Sequence, residues 1–225
     1  MNLNTIEKYL ILAQHPTKGR FTYGQFVNYG VIGASLLEMS LKDGVSVENE
    51  LLILKDDIEF DNPVLLEIST LIKSSEKPRK IKHWIHKLAR KAAKYKWSFL
   101  NELENKKLIR IEHKKFLGLF PYRRCYLIED SIRESLTQDV KRKILNKPEM
   151  NNEEILILGM IEACQMHKII TSDKQELKTI KKELKQLLKE IPIAGTVAKT
   201  IKEVQAAIIV AVVTSTIVAS SASSS

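Results

Sequence analysis

Between residues 80 and 107 apolar positions recur at helical spacing inside the most basic stretch of the chain, and this overlap constrains the fold more than any other feature. Ile81, Trp84, Ile85 and Leu88 form one stripe, and Trp97, Leu100 and Leu103 form another. Residues 73–96 meanwhile hold ten Lys and Arg against the single Glu76. Such stripes must be buried while the charged face stays in water, so the segment reads as two surface helices, or one broken helix, laid on a core. A chain of 225 residues, 44% hydrophobic and 28% charged, can supply that core. Eight Gly and six Pro exclude a low-complexity or linker-dominated protein.

The charge is polarised along the chain. Residues 106–124 add seven Lys and Arg against Glu112, whereas residues 43–67 carry eight acids against Lys55. The formal net charge is +9. A field of this shape orients the molecule toward an acidic partner: a nucleic acid, an anionic membrane surface or an acidic protein.

The other segments place the helices and hairpins. Residues 3–14 read as a short helix closed by His15-Pro16 and the turn at Lys18-Gly19. Phe21–Phe26 is a brief strand or loop. Val31, Ala34, Leu37 and Leu41 mark a helix from Asn28 to Asp43-Gly44. VSVENELLIL (45–54) suggests a hairpin, and Asp61-Asn62-Pro63 supplies the cap and first turn of the next helix. Residues 74–78 form the best linker candidate. LIRIEHKKFLGLFPYRRCYLI (108–128) is a second hairpin, with a turn expected near His113–Lys115. Helices follow over 129–146, 151–168 and 173–190. AAIIVAVVTSTIVAS (206–220) is a buried core helix or a tail anchor, too short in its unbroken apolar run for a comfortable span. The fold class is mostly α with a minor β component, a single domain over 1–218 followed by a disordered Ser-rich tail at 219–225.

No enzyme signature survives inspection. His83 and His86 are spaced for two metal ligands but lack a third, and the cations around them repel a metal. Asp56, Asp57, Glu59 and Asp61 miss the calcium-loop pattern. Cys164 reads as core packing, and Gly30 and Gly33 lack the rest of a phosphate-binding fingerprint. The reading is therefore a non-enzyme without metal or cofactor. Two cysteines cannot make a disulfide framework, and the N-terminus has no basic n-region, carrying Glu7 within its apolar stretch. A cytoplasmic location without a signal peptide is expected.

Two binding modes then compete. A basic helix pair followed by a hairpin is the layout of a winged helix, with Lys114, Lys115, Arg123 and Arg124 on the wing. The same charges could instead meet lipid phosphates while FLGLFPY (116–122) dips into the bilayer. In the bland alternative, Phe116, Leu117, Leu119 and Phe120 simply close the core.

Several stretches in order, YLILAQHPTKGR, GVIGASLLEMSLKDGVSV, DNPVLLEI, KIKHWIHKLAR, the 108–127 hairpin and VAKTIKEVQAAIIVAV, resemble the Golgi phosphoprotein 3 family, bacterial-type relatives included, from about residue 5 to 218. The resemblance implies a compact, mostly helical domain with hairpins on one face and a buried C-terminal helix. It implies binding of phosphatidylinositol 4-phosphate and sorting of protein tails, with the hairpin serving membrane contact and self-association. Of the family's headgroup pocket, Tyr23 takes the aromatic position, while Ile32, Ala92 and Tyr95 stand where basic residues are expected.

The expected function is that of a peripheral membrane protein reading anionic, phosphoinositide-like headgroups, with a nucleic-acid-binding winged helix as the alternative. The headgroup surface is Tyr23, Lys87, Arg90, Lys91, Lys94, Arg123 and Arg124. Phe116, Leu117, Leu119 and Phe120 are its inserting residues.

Overall fold

Helix α1 (Thr5–Ala13) runs through the middle of the protein and is buried along almost its whole length. Asn4 caps it: its side chain accepts from the Glu7 amide while the Glu7 carboxylate accepts from the Asn4 amide. Lys106, at the far end of another helix, closes on the buried Glu7 at 2.6 Å. The glutamate within the first apolar stretch is thus a capping residue with a distant cation for a partner. The computed structural model describes residues 3–55, 58–190 and 199–211.

Around α1 pack α2 (Gln25–Leu41), α5 (Ala92–Asn105), α6 (Asp130–Asn146) and α7 (Asn152–Ala163). Helix α8 (Lys174–Glu190) lies on α6 and α7, and the helical residues 199–211, here α9, bury Ile201, Val204, Ala207, Ile208 and Ala211. Two glycines of α2 permit these approaches. A methyl on Gly30 would overlap the Tyr9 hydroxyl, and one on Gly33 would overlap the Ile208 side chain. The described part of the C-terminal apolar segment buries Ala207, Ile208 and Ala211 and leaves Ile209 and Val210 exposed; the rest of that segment, and the Ser-rich tail, lie outside the described residues. Among the described residues no helix is long and apolar enough to cross a membrane.

Two small antiparallel sheets interrupt the helices. Strands β1 (Val45–Glu48) and β2 (Leu51–Leu54) meet through Asn49 and Glu50, both at positive φ (48° and 65°), the two-residue turn that matches strand twist. Helix α3 (Pro63–Lys73) follows, its first amides taken by the Asn62 side chain. Residues 74–78, read as a linker, instead form a tight connection into β3 (Arg79–Lys80), which pairs with β2 and starts α4 (Ile81–Ala89). The expected break between α4 and α5 falls at Arg90-Lys91. Strands β4 (Ile109–Phe116) and β5 (Phe120–Leu127) make the second sheet. Residues 151–168 divide into α7 and a short 3-10 turn at Met166–Ile169.

Candidate functional site

The β4–β5 hairpin is firmly rooted and freely ended. Its pairing runs from Ile109 opposite Leu127 to Phe116 opposite Phe120, so the chain reverses at Leu117-Gly118-Leu119 rather than near His113–Lys115. The polar His-Lys-Lys triplet looks like a turn in sequence but continues the strand. The reversal uses positive φ at Leu117 (50°) and Gly118 (72°). At the root, Ile109 and Cys125 are buried and Ile111 and Leu127 pack on the core. Beyond Glu112 nearly every residue is exposed. At ~3.3 Å per residue, the last three residues of β4 extend about 10 Å past the level of Arg123.

Four large apolar side chains crown that extension: Phe116 is 61% exposed, Leu117 and Leu119 76% each, and Phe120 63%. They do not close the core. Below them the strands carry His113, Lys114, Lys115, Arg123 and Arg124. An apolar tip with a cationic collar is the arrangement that lets a surface element enter the acyl boundary while its charges stay at the phosphates.

The collar is held against the body. Arg123 lies over the Trp97 ring, 3.9 Å from its centroid, and Arg124 donates to the Lys18 carbonyl at 3.2 Å while sitting over Tyr122. The half-buried Lys96 donates to the Asn28 side chain at 3.1 Å and lies 5.2 Å over Phe21. Burial, and then the Arg123 charge, lower the Lys96 pKa. Neither cation has a carboxylate partner among the described residues, so an anion entering between Lys96 and Arg123 would meet two uncompensated charges.

The remaining expected headgroup residues do not gather at this place. Lys91 and Lys94 each reach Glu67 on α3 at 2.8 Å. Their hydrogen bonds, helped by the Tyr95 hydroxyl, hold the Glu67 carboxyl at about 2. Lys87 and Arg90 stand on the outer face of α4 in a separate groove with Arg79, Lys82, His83 and His86. Tyr23 is half-buried at yet another place, lining a groove with Phe26, Lys168, Lys181 and Lys185, and burial raises its hydroxyl pKa. Ile32, Ala92 and Tyr95, where the resemblance leads one to expect basic residues, are all core residues. Both thiols are buried, and that burial pushes each up to about 12, so neither is a nucleophile at neutral pH.

Lys96, Phe21, Asn28 and Trp97 stand outside the headgroup surface expected from the sequence. The signal for Lys96 was present: it falls four residues after the buried Ala92 and four before the buried Leu100, on the edge of the α5 stripe. That stripe is Ala92, Tyr95, Phe99, Leu100 and Leu103, with Trp97 only half-buried beside it.

A helical body with a projecting, cation-collared, apolar-tipped hairpin defines a class of mostly helical folds with one specialised face. Within that class the sequence is decisive: the family model described as Golgi phosphoprotein 3 (GPP34) matches residues 6–204, and the chain belongs to this family. No curated protein matches the sequence.

Proposed function

We propose that the protein is a peripheral membrane protein that binds anionic, phosphoinositide-like headgroups through the β4–β5 hairpin and the adjoining Lys96 and Arg123. The observation that carries this reading is the tip: four large apolar side chains exposed at the end of a strand pair whose flanks are basic. Family membership is consistent with phosphoinositide recognition. The cations near the surface contribute attraction of about 1 kcal/mol each, and the tip adds a term that salt does not screen. Lys87 and Arg90 add to the basic field from α4.

Two observations weigh against the winged-helix alternative. Lys91 and Lys94, which start the helix that would enter a groove, are already engaged by Glu67. The wing, moreover, ends in hydrophobes where a phosphate-contacting loop would carry polar groups.

Sedimentation with liposomes tests the reading. Vesicles would be neutral, phosphatidylserine-rich, or doped with phosphatidylinositol 4-phosphate at matched charge, each at low and physiological salt, with duplex DNA as competitor. Binding to anionic vesicles that survives physiological salt and drops in the Leu117→Ser/Leu119→Ser variant supports the reading, and preference for the phosphoinositide supports its headgroup chemistry. Failure to sediment with any vesicle, together with steeply salt-dependent DNA binding, would reject it.

A further inference from the structure

Helix α4 lines a second basic groove, separate from the hairpin. Lys82, His83, His86, Lys87 and Arg90 recur one turn apart and share the face opposite the buried Ile81, Trp84, Ile85 and Leu88. With Arg79 from β3 they line an open groove of about 620 Å³, the size of a small-ligand site. Charge in it is unbalanced. Lys80 at its edge is paired with Glu50, but Arg79, Lys82, Lys87 and Arg90 have no carboxylate partner among the described residues. Lys87 rests over the Trp84 ring at 4.9 Å, which fixes its ammonium at the helix surface.

We propose that this β3–α4 groove binds a compact, multiply charged phosphate group through Arg79, Lys82, Lys87 and Arg90, with His83 and His86 as further donors. The proposal stands independently of the hairpin reading. Arginine forks match phosphate oxygens bidentately, and four cations lining one groove suit adjacent phosphates better than a lone carboxylate. A bilayer surface as such is disfavoured, since none of the exposed large apolar side chains among the described residues lies on β3 or α4. The phosphates could belong to a soluble polyphosphate or to a lipid headgroup reaching out of the membrane.

Isothermal titration of the full chain with tripolyphosphate tests this. Saturable binding that weakens roughly tenfold or more in Lys82→Ala/Lys87→Ala/Arg90→Ala, but is unchanged in Leu117→Ser/Leu119→Ser, supports the site. These α4 side chains are exposed, so an unchanged Tm verifies that the triple variant folds. In the supporting case, competition by phosphatidylinositol 4-phosphate vesicles assigns the phosphate to a headgroup, and its absence assigns it to a soluble ligand. An NMR titration supplies a second readout. Burial, then the charges of Arg79, Lys87 and His86, lower the His83 pKa, and a bound polyanion should raise it. No saturable binding, equal binding by all variants, an unmoved His83 titration, or duplex DNA binding through the three residues where tripolyphosphate fails to bind would each overturn the proposal.

Discussion

The Arg123 guanidinium stacks on Trp97 at 3.9 Å from the ring centroid, joining the outer part of β5 to helix α5. This contact positions the cation beside Lys96 and steadies a hairpin that otherwise stands in solvent. Replacing Arg123 with Ala should cost about 0.5–1 kcal/mol of stability, the value of an exposed cation–π contact. It should weaken binding to anionic vesicles by a further ~1 kcal/mol. Arg123→Lys keeps the charge and loses the planar stack, so it should recover much of the vesicle binding and less of the Tm. Equal loss of binding in both variants would mean that charge is not what Arg123 contributes.

Glu67 makes an opposite prediction for stability and binding. Its carboxyl sits at about 2, below the ordinary 4.5, because Lys91 and Lys94 hydrogen-bond its charged form. The folded-state value is the depressed one, so this contribution is fully present above pH 4.5 and is lost as the pH falls toward 2. The partly exposed lysines and solvent screening reduce it to about 1 kcal/mol. Glu67→Gln should therefore lower the Tm slightly at neutral pH and abolish that part of the acid dependence. The same change releases Lys91 and Lys94 from their partner, and vesicle binding should rise. Denaturation curves between pH 2 and 5, compared for the two proteins, check the first half; co-sedimentation checks the second.

The close approach of α9 to α2 predicts a coupled pair. A methyl at Gly33 would collide with the terminal methyl of Ile208. Gly33→Ala should cost about 1–3 kcal/mol, the range of an overpacked core. Ile208→Val removes the offending methyl and costs about 0.5–1.5 kcal/mol alone. Together they should be less destabilising than their sum, and a strictly additive cycle would show that α9 does not dock on Gly33.

How much of this was legible in the sequence depends on distance along the chain. Local signals held: a cap at Asp61 or Asn62, which falls to Asn62, the 45–54 hairpin, the amphipathic face of α4, and the mostly helical fold all follow from residues within a few positions of one another, while the α5 stripe was read only in part. The pairing of Lys91 and Lys94 with Glu67 was not legible, because the partner lies 24 and 27 residues away on another helix. Nor was β3, two residues long and formed only because β2 offers it an edge. The hairpin turn was misplaced for a different reason. Polar triplets usually mark turns, and here the apolar Leu117-Gly118-Leu119 makes the reversal. Tyr23, Arg90 and Arg123 each looked like members of one headgroup surface, yet tertiary packing distributes them over three places.

The turn at Leu117-Gly118-Leu119 holds a leucine in an unfavourable backbone conformation. Leu117 holds φ at 50°, a left-handed conformation that costs a branched residue on the order of 1 kcal/mol, although its side chain is 76% exposed. Glycine adopts this conformation without the steric cost. Leu117→Gly should therefore leave the Tm unchanged or raise it slightly, while lowering binding to anionic vesicles by the loss of one inserting side chain, about 1.5–3 kcal/mol if fully buried in the acyl region. Leu119→Ser should lower vesicle binding similarly with a Tm change within about 0.5 kcal/mol of neutral. A strained leucine that can be removed with gain in stability and loss of membrane affinity is kept at the tip for contact rather than for folding. If Leu117→Gly left vesicle binding intact, the tip would not be an inserting element.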